Sequence, residues 1–195
     1  MEIQKKSGER KFPSPDTTPT ASELCHSELP VSALLRVYQS NAYADCFTAD
    51  FEGTVSLEQL VAAFYTTRLF KVERFILRWA VSKPSTDEQA RQLAAGARED
   101  FAAWHVEKRG PNQLLLSDMN NRTRSWLMVE SVASNHGFVT RLYFGSAVVP
   151  IRNRKSGKHE MGLIFNALLG FHKLYSVALL RAAISRLQTS ATGQY

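Results

Sequence analysis

The chain has 195 residues, of which 44% are hydrophobic and 22% charged, and its formal net charge is +6. These values are ordinary for one globular domain with a substantial core, and they exclude a low-complexity or fibrous protein. Part of the basic excess lies before Pro13, and the rest is dispersed apart from a short cluster between Arg152 and Lys158. Because nucleic-acid binding needs a stripe or face of charge, we expect no nucleic-acid partner.

Two cysteines, Cys25 and Cys46, stand outside any CxxC or Cys/His spacing, so no metal site is predicted. Two free thiols are expected, with a disulfide between them as the alternative. The N-terminus is polar and has no apolar segment typical of a signal peptide. The longest apolar stretch, residues 161–169, is too short for a transmembrane segment. The sequence therefore predicts a cytoplasmic protein.

The chain begins with a polar segment and continues with alternating and helical patterns. Residues 1 to about 28 are rich in Lys, Ser, Thr, Pro and Glu and predict a flexible tail. Alternation over residues 43–51 predicts the first strand, with Asp45 and Phe47 on one face. Ser56 is a favourable N-cap for a helix over residues 57–66, and a second helix is expected over residues 70–81. Ser85-Thr86-Asp87 caps a third helix, from Asp87 to about Ala97.

Four more strands and a long helix complete the predicted elements. The strands are expected over residues 101–108, 113–118, 124–133 and 138–149, because turn-forming residues separate these ranges. The apolar pattern over residues 160–188 predicts a long C-terminal helix or helix pair. This order predicts an α+β fold in which a curved antiparallel sheet grips the C-terminal helix. Small ligands commonly bind between two such layers.

Residues 162–173, which end in Phe171-His172-Lys173, resemble the closing motif of a bacterial domain-of-unknown-function family. Members of that family are similar to START-like (SRPBCC, helix-grip) proteins. The resemblance covers about residues 43–187 and includes Asp45 and Phe47 in the first strand. Gly170 and Lys173 stand where the family tends to have proline and arginine. The resemblance implies a single START-like domain over residues 29–195 that contains a cavity. It does not indicate which activity, if any, the domain has.

Six residues are candidates for binding a ligand in that cavity. The aromatic side chains of Trp104, Trp126 and Tyr143 could line it, and His172 is a lone histidine in an apolar helix. Arg124 and Glu130 share a strand face with Trp126, so both could orient a polar group of the ligand. The alternative for each residue is structural: aromatic core filling, a hydrogen bond by His172, and a buried Arg124–Glu130 pair.

The expected function is binding of a small hydrophobic molecule between the sheet and the terminal helix, without a cofactor. No nucleophile, base and orienting group can be assembled from the sequence, so no catalytic residues are assigned. Two alternatives remain open. One is a cyclase- or hydratase-like enzyme that acts on a hydrophobic substrate in the same cavity, and the other is an interaction module that binds no ligand.

Overall fold

The computed structural model describes residues 20–72, 85–135, 137–149, 151–152, 159–160 and 163–192. Side chains are described for residues 20–72, 85–135, 137–149 and 175–191. Within these ranges the chain forms an α+β fold with a seven-stranded antiparallel sheet and a long C-terminal helix.

The sheet has the strand order β1-β2-β7-β6-β5-β4-β3, so β2 pairs with the last long strand of the meander. Its strands are β1 (Cys25–His26), β2 (Tyr43–Glu52), β3 (Asp100–Phe101), β4 (Trp104–Arg109), β5 (Gln113–Asp118), β6 (Thr123–Ser134) and β7 (Gly137–Val148). A separate two-stranded ladder joins β8 (Ile151–Arg152) to β9 (His159–Glu160). Residues 153–158 of the basic cluster between Arg152 and Lys158 lie outside the described residues.

Two short helices follow β2, and each begins with a capping box. In α1 (Leu57–Tyr65) the Ser56 hydroxyl accepts from the Gln59 backbone N–H, and Thr86 does the same for Gln89 in α2 (Asp87–Ala94). Such reciprocal caps satisfy amide groups that the first turn leaves unpaired. Both helices were predicted from these caps. The predicted helix over residues 70–81 lies mostly outside the described residues, although residues 68–72 are helical.

The helices pack on one face of the sheet, which we call the inner face. The long helix α3 (Leu163–Thr192) contributes Leu180 and Leu187 to a core shared with Phe47 of β2 and Leu142 of β7. Even-numbered core residues of β7 and odd-numbered ones of β2 point inward, as strand alternation requires. The sheet and α3 thus form two layers, as predicted.

The other face, here called the outer face, is covered by the segment before β2. A 3₁₀ helix (Leu34–Tyr38) places Leu35 in a second core with Trp126, Met128 and Tyr143. Gly145 allows this approach, because a Cβ there would lie 2.8 Å from Leu35 Cδ2 and 2.9 Å from Trp126 Cε3. Both faces of the sheet are therefore buried near its centre.

Two predicted boundaries need correction. Residues 20–28 were assigned to the tail, but Cys25 and His26 pair with β2, and the Ser22 N–H donates to the Asp50 carbonyl. Part of the segment predicted as a tail is therefore paired with the sheet. The strand predicted over residues 101–108 is divided into β3 and β4, because a turn follows Phe101 in which Ala102 has a φ of 53°.

Candidate functional site

A row of polar side chains crosses the inner face where apolar residues would be expected. Asp45 of β2 lies opposite Ser146 of β7, and Ser146 lies opposite Ser125 of β6. All three side chains are buried. We call them, together with Tyr65 of α1, the polar row. Buried polar groups are normally paired, so each member of this row requires a partner.

The partners of Asp45 are incomplete. The Ser146 hydroxyl donates to Asp45 Oδ1 over 2.5 Å, whereas Oδ2 is buried and has no hydrogen-bond partner. The residue is 2% exposed, and among the described residues it belongs to no ion pair. A buried carboxylate without a counter-charge is costly. Asp45 therefore presents a free acceptor oxygen in the interior.

The other end of the polar row is closed by α1. The hydroxyl groups of Tyr65 and Ser125 are hydrogen-bonded over 2.9 Å. The Tyr65 ring is held by edge contacts with Phe70 and Phe101, whose centroids lie 4.8 Å and 5.6 Å away. These contacts fix the hydroxyl at the surface of an apolar cluster. The polar row is thus rigidly placed at its β6 end and incomplete at Asp45.

Helix α3 brings a second unpartnered polar atom to this layer. Ser176 is 1% exposed, and its hydroxyl has no hydrogen-bond partner. Leu187 and Phe51 line one cleft, so the helix and β2 meet there. Ser176 lies about 16 Å along the helix from Leu187. Asp45 lies about 20 Å along the strand from Phe51. Ser176 lies on the same side of α3 as Leu180 and Leu187, which belong to the inner core.

The cleft itself opens at the far end of the layer, between β2, α1 and the end of α3. It has a volume of about 420 Å³, an apolar wall that includes Phe51, Ala63 and Leu187, and arginines at positions 91 and 186. The guanidinium of Arg91 already pairs with Glu88 over 3.1 Å. The cleft could admit a small molecule and carries positive charge, in contrast to the carboxylate at the other end.

Four of the candidate ligand-binding residues lie on the outer face of the sheet, away from α3. Trp126 is 0% exposed and packs in the outer core with Tyr143, and Arg124 and Glu130 share that face. None of these four lines a space beneath α3. The physical reason is that β6 carries large apolar residues on both faces, with Leu127 and Val129 directed inward.

Trp126 instead anchors the N-terminal segment. Its indole Nε1–H donates to Gln113 Oε1 over 3.0 Å, and the same oxygen accepts from the Leu34 backbone N–H. The Gln113 amide donates to the Ser32 carbonyl over 3.0 Å. The buried Gln113 side chain therefore joins the 3₁₀ helix to the sheet, and both its oxygen and its nitrogen are hydrogen-bonded. These contacts give Gln113 and Trp126 a structural role.

Arg124, Glu130 and Tyr143 also have structural partners. Arg124 Nε lies 2.5 Å from Glu107 Oε2, and the guanidinium stacks 4.6 Å above the Tyr38 ring. Burial and then a hydrogen bond to Glu107 raise the pKa of Tyr38. The Tyr143 hydroxyl donates to Glu130 Oε2 over 2.7 Å, and burial, followed by this bond, raises the pKa of Tyr143 to about 12. The predicted Arg124–Glu130 pair does not form.

Two candidates remain on or near the inner face. Trp104 packs against the inner core, and its indole Nε1–H is buried without a partner. It lies four strands away from Asp45, about 19 Å across the sheet. His172 belongs to the backbone of α3, but its side chain lies outside the described residues. Strand alternation in the sequence places Asp45 on the same face as Phe47 and Phe51. A charged residue among these aromatic residues was the one sequence feature that pointed to the polar row.

Comparisons with known proteins identify no relative: no family model matches the chain, and no curated protein or solved structure matches it. Within the described ranges, none of the helices combines the length and the apolar character needed to span a membrane. In the same residues, no three side chains from His, Cys, Asp and Glu are grouped to hold a metal ion.

Proposed function

We propose that this protein binds a small, mainly apolar molecule between the sheet and the terminal helix, as in a helix-grip fold. The observation that carries the proposal is the unpartnered Oδ2 of Asp45, buried on the inner face of the sheet. Native proteins rarely leave such an oxygen unpaired, and a bound ligand would supply the missing donor. The Ser176 hydroxyl on the opposite layer lacks a partner as well.

Both layers supply apolar walls for such a ligand. Phe47 and Phe144 lie on the sheet side, and Leu179 and Leu180 lie on the helix side. An apolar space with a few convergent polar groups is the usual form of a small-molecule site. A molecule with an apolar body and one polar end would match the polar row and these walls.

The test uses Nile red, an uncharged hydrophobic dye, and a variant that fills the proposed space. Nile red should bind the folded protein and should be displaced by 1-dodecanol. Ser176→Leu should block dye binding while leaving the denaturation midpoint nearly unchanged, because the larger side chain would occupy the ligand's space. Ser185→Leu, on an exposed position of the same helix, is the matched control and should bind dye normally.

The opposite result would contradict the proposal. If the layer were fully packed with protein atoms, Ser176→Leu would overpack it and lower the free energy of unfolding by about 1–3 kcal/mol. Dye binding that survives this substitution would likewise place the dye elsewhere on the protein.

A second candidate function is acid–base catalysis on a molecule held in the same place. Its support is that Asp45 offers a buried carboxylate oxygen beside the hydroxyl of Ser146. Such a group can take a proton from a bound substrate if it lies within hydrogen-bond reach. Molecules that co-purify with Asp45→Asn should then be converted on incubation with the unaltered protein, whereas the variant should bind them without converting them.

A further inference from the structure

We propose that the ligand is an amphiphilic amine, whose ammonium group binds Asp45 and whose apolar body lies between the sheet and α3. This inference rests on the proposed function and names the ligand class. The need for positive charge comes from Asp45, which is 2% exposed and belongs to no ion pair among the described residues. An ammonium group would give this carboxyl group a counter-charge, which a neutral ligand cannot supply.

An ammonium group also matches the geometry of the polar atoms around Asp45. It has three donors and no acceptor. One donor would reach the free Oδ2, while Oδ1 keeps its bond from Ser146. The Ser176 hydroxyl, buried on the facing helix and unpartnered, can accept a second. A hydroxyl group could donate to Oδ2 and accept from Ser176, but it would bring no positive charge to Asp45.

The cleft at the other end of the layer is the competing position for the head group of the ligand. Arg91 and Arg186 line it, and an amphiphilic carboxylate would place its head group there. Asp45 and Phe51 are six residues apart on β2, so the two ends of the layer lie about 20 Å apart. The sign of the ligand's charge therefore decides which end holds its head group. Arg91 is already paired with Glu88, whereas Asp45 has no counter-charge among the described residues, and we assign the head group to Asp45.

The experiment compares three probes with the same twelve-carbon chain: dodecylamine, 1-dodecanol and dodecanoate. Affinities are measured by isothermal titration calorimetry at pH 7, below the concentrations at which the probes aggregate. Dodecylamine should bind about tenfold more tightly than 1-dodecanol, because hydrogen bonds to charged groups are the stronger ones. The formal net charge of +6 repels cations, so overall electrostatics would not produce this preference.

Asp45→Asn should remove the preference for the amine, since the isosteric amide has no charge. Asp100→Asn removes the same charge from an exposed position and should keep the preference. Circular dichroism and the denaturation midpoint show whether each variant is folded. If Asp45→Asn does not fold, the order of the three affinities in the unaltered chain still decides the question.

The outcomes separate the two proposals. Binding of dodecanoate as tightly as dodecylamine, or retention of the amine preference by folded Asp45→Asn, would overturn the ligand class and leave the proposed function standing. If none of the three probes binds, the proposed function itself fails, and the ligand class fails with it.

Discussion

The carboxylate of Asp45 and the hydroxyl of Ser146 face each other across β2 and β7 and share a 2.5 Å hydrogen bond in the interior. The bond fixes one carboxylate oxygen and leaves the other buried without a partner. The same two strands carry Phe47 and Phe144 on this face. The pair is therefore a polar position set into an apolar surface, which is the feature that most sharply distinguishes this layer from an ordinary core.

Removal of the hydroxyl from Ser146 should destabilise the protein. Ser146→Ala deprives a buried carboxylate of its one described hydrogen bond, which typically costs about 1.5–3 kcal/mol for a bond to a charged group. Chemical denaturation followed by circular dichroism measures the free energy of unfolding. Ser131→Ala, at an exposed position of β6, is the control and should change it little. Equal stability of both variants would show that the bond contributes nothing.

Leu180 should be one of the most important residues of α3 for stability. It is 0% exposed in the inner core, so Leu180→Ala should lower the free energy of unfolding by about 2–5 kcal/mol. Arg181→Ala, at the next and exposed position, should have a much smaller effect. Urea denaturation of the two variants gives the comparison. A reversed order would mean that α3 presents a different side to the sheet.

Gly145 should not tolerate a larger side chain. A Cβ at this position would meet Leu35 Cδ2 at 2.8 Å, Trp126 Cε3 at 2.9 Å and the Asp45 carbonyl at 3.0 Å. Gly145→Ala should therefore lower the free energy of unfolding by about 1–3 kcal/mol and change the fluorescence of Trp126 as the 3₁₀ helix is displaced. If the variant is as stable as the parent chain, the outer face is less tightly packed than the structure shows.

The two cysteines should differ strongly in reactivity. Burial, with a smaller contribution from the charge of Asp45, raises the pKa of Cys46 to about 12, whereas Cys25 is exposed. At pH 8 a thiol reagent should label one cysteine in the folded protein and both in denaturant. Rapid labelling of Cys46 in the folded state would contradict the described packing.

The raised pKa of Cys46 also predicts a loss of stability at high pH. As the pH rises, the unfolded chain releases the thiol proton first, near the ordinary value of 9.0, and the folded protein releases it near 12. The stability linked to this proton is therefore intact below pH 9 and declines between pH 9 and 12. Cys46→Ala should reduce that decline, which thermal melts across this pH range would reveal.

Local patterns in the sequence were sufficient to predict most of the described elements. Alternation predicted β2, and Ser56 and Thr86 predicted the starts of α1 and α2, because a cap is determined by residues within one turn. The division of residues 101–108 into two strands was not predictable in this way. No glycine marks the turn, and Ala102 adopts its positive φ in spite of its side chain.

The candidate site was harder to predict because it depends on register between distant strands. Asp45 and Ser146 are 101 positions apart, and their contact follows from the pairing of β2 with β7. The position of Trp126 on the outer face was hard to predict for a related reason. When both faces of a strand are buried, alternation no longer shows which face the helix covers, and the segment around Leu35 that covers the outer face is too short to predict.

The most direct test of the central claim is a crystal structure of the protein as purified, at a resolution that distinguishes water from organic molecules. The account predicts density for a non-protein molecule between the sheet and α3, with a nitrogen atom within hydrogen-bond distance of Asp45 Oδ2. A single ordered water bridging Asp45 and Ser176, in a layer otherwise filled by protein side chains, would contradict it, because buried water can also satisfy such groups.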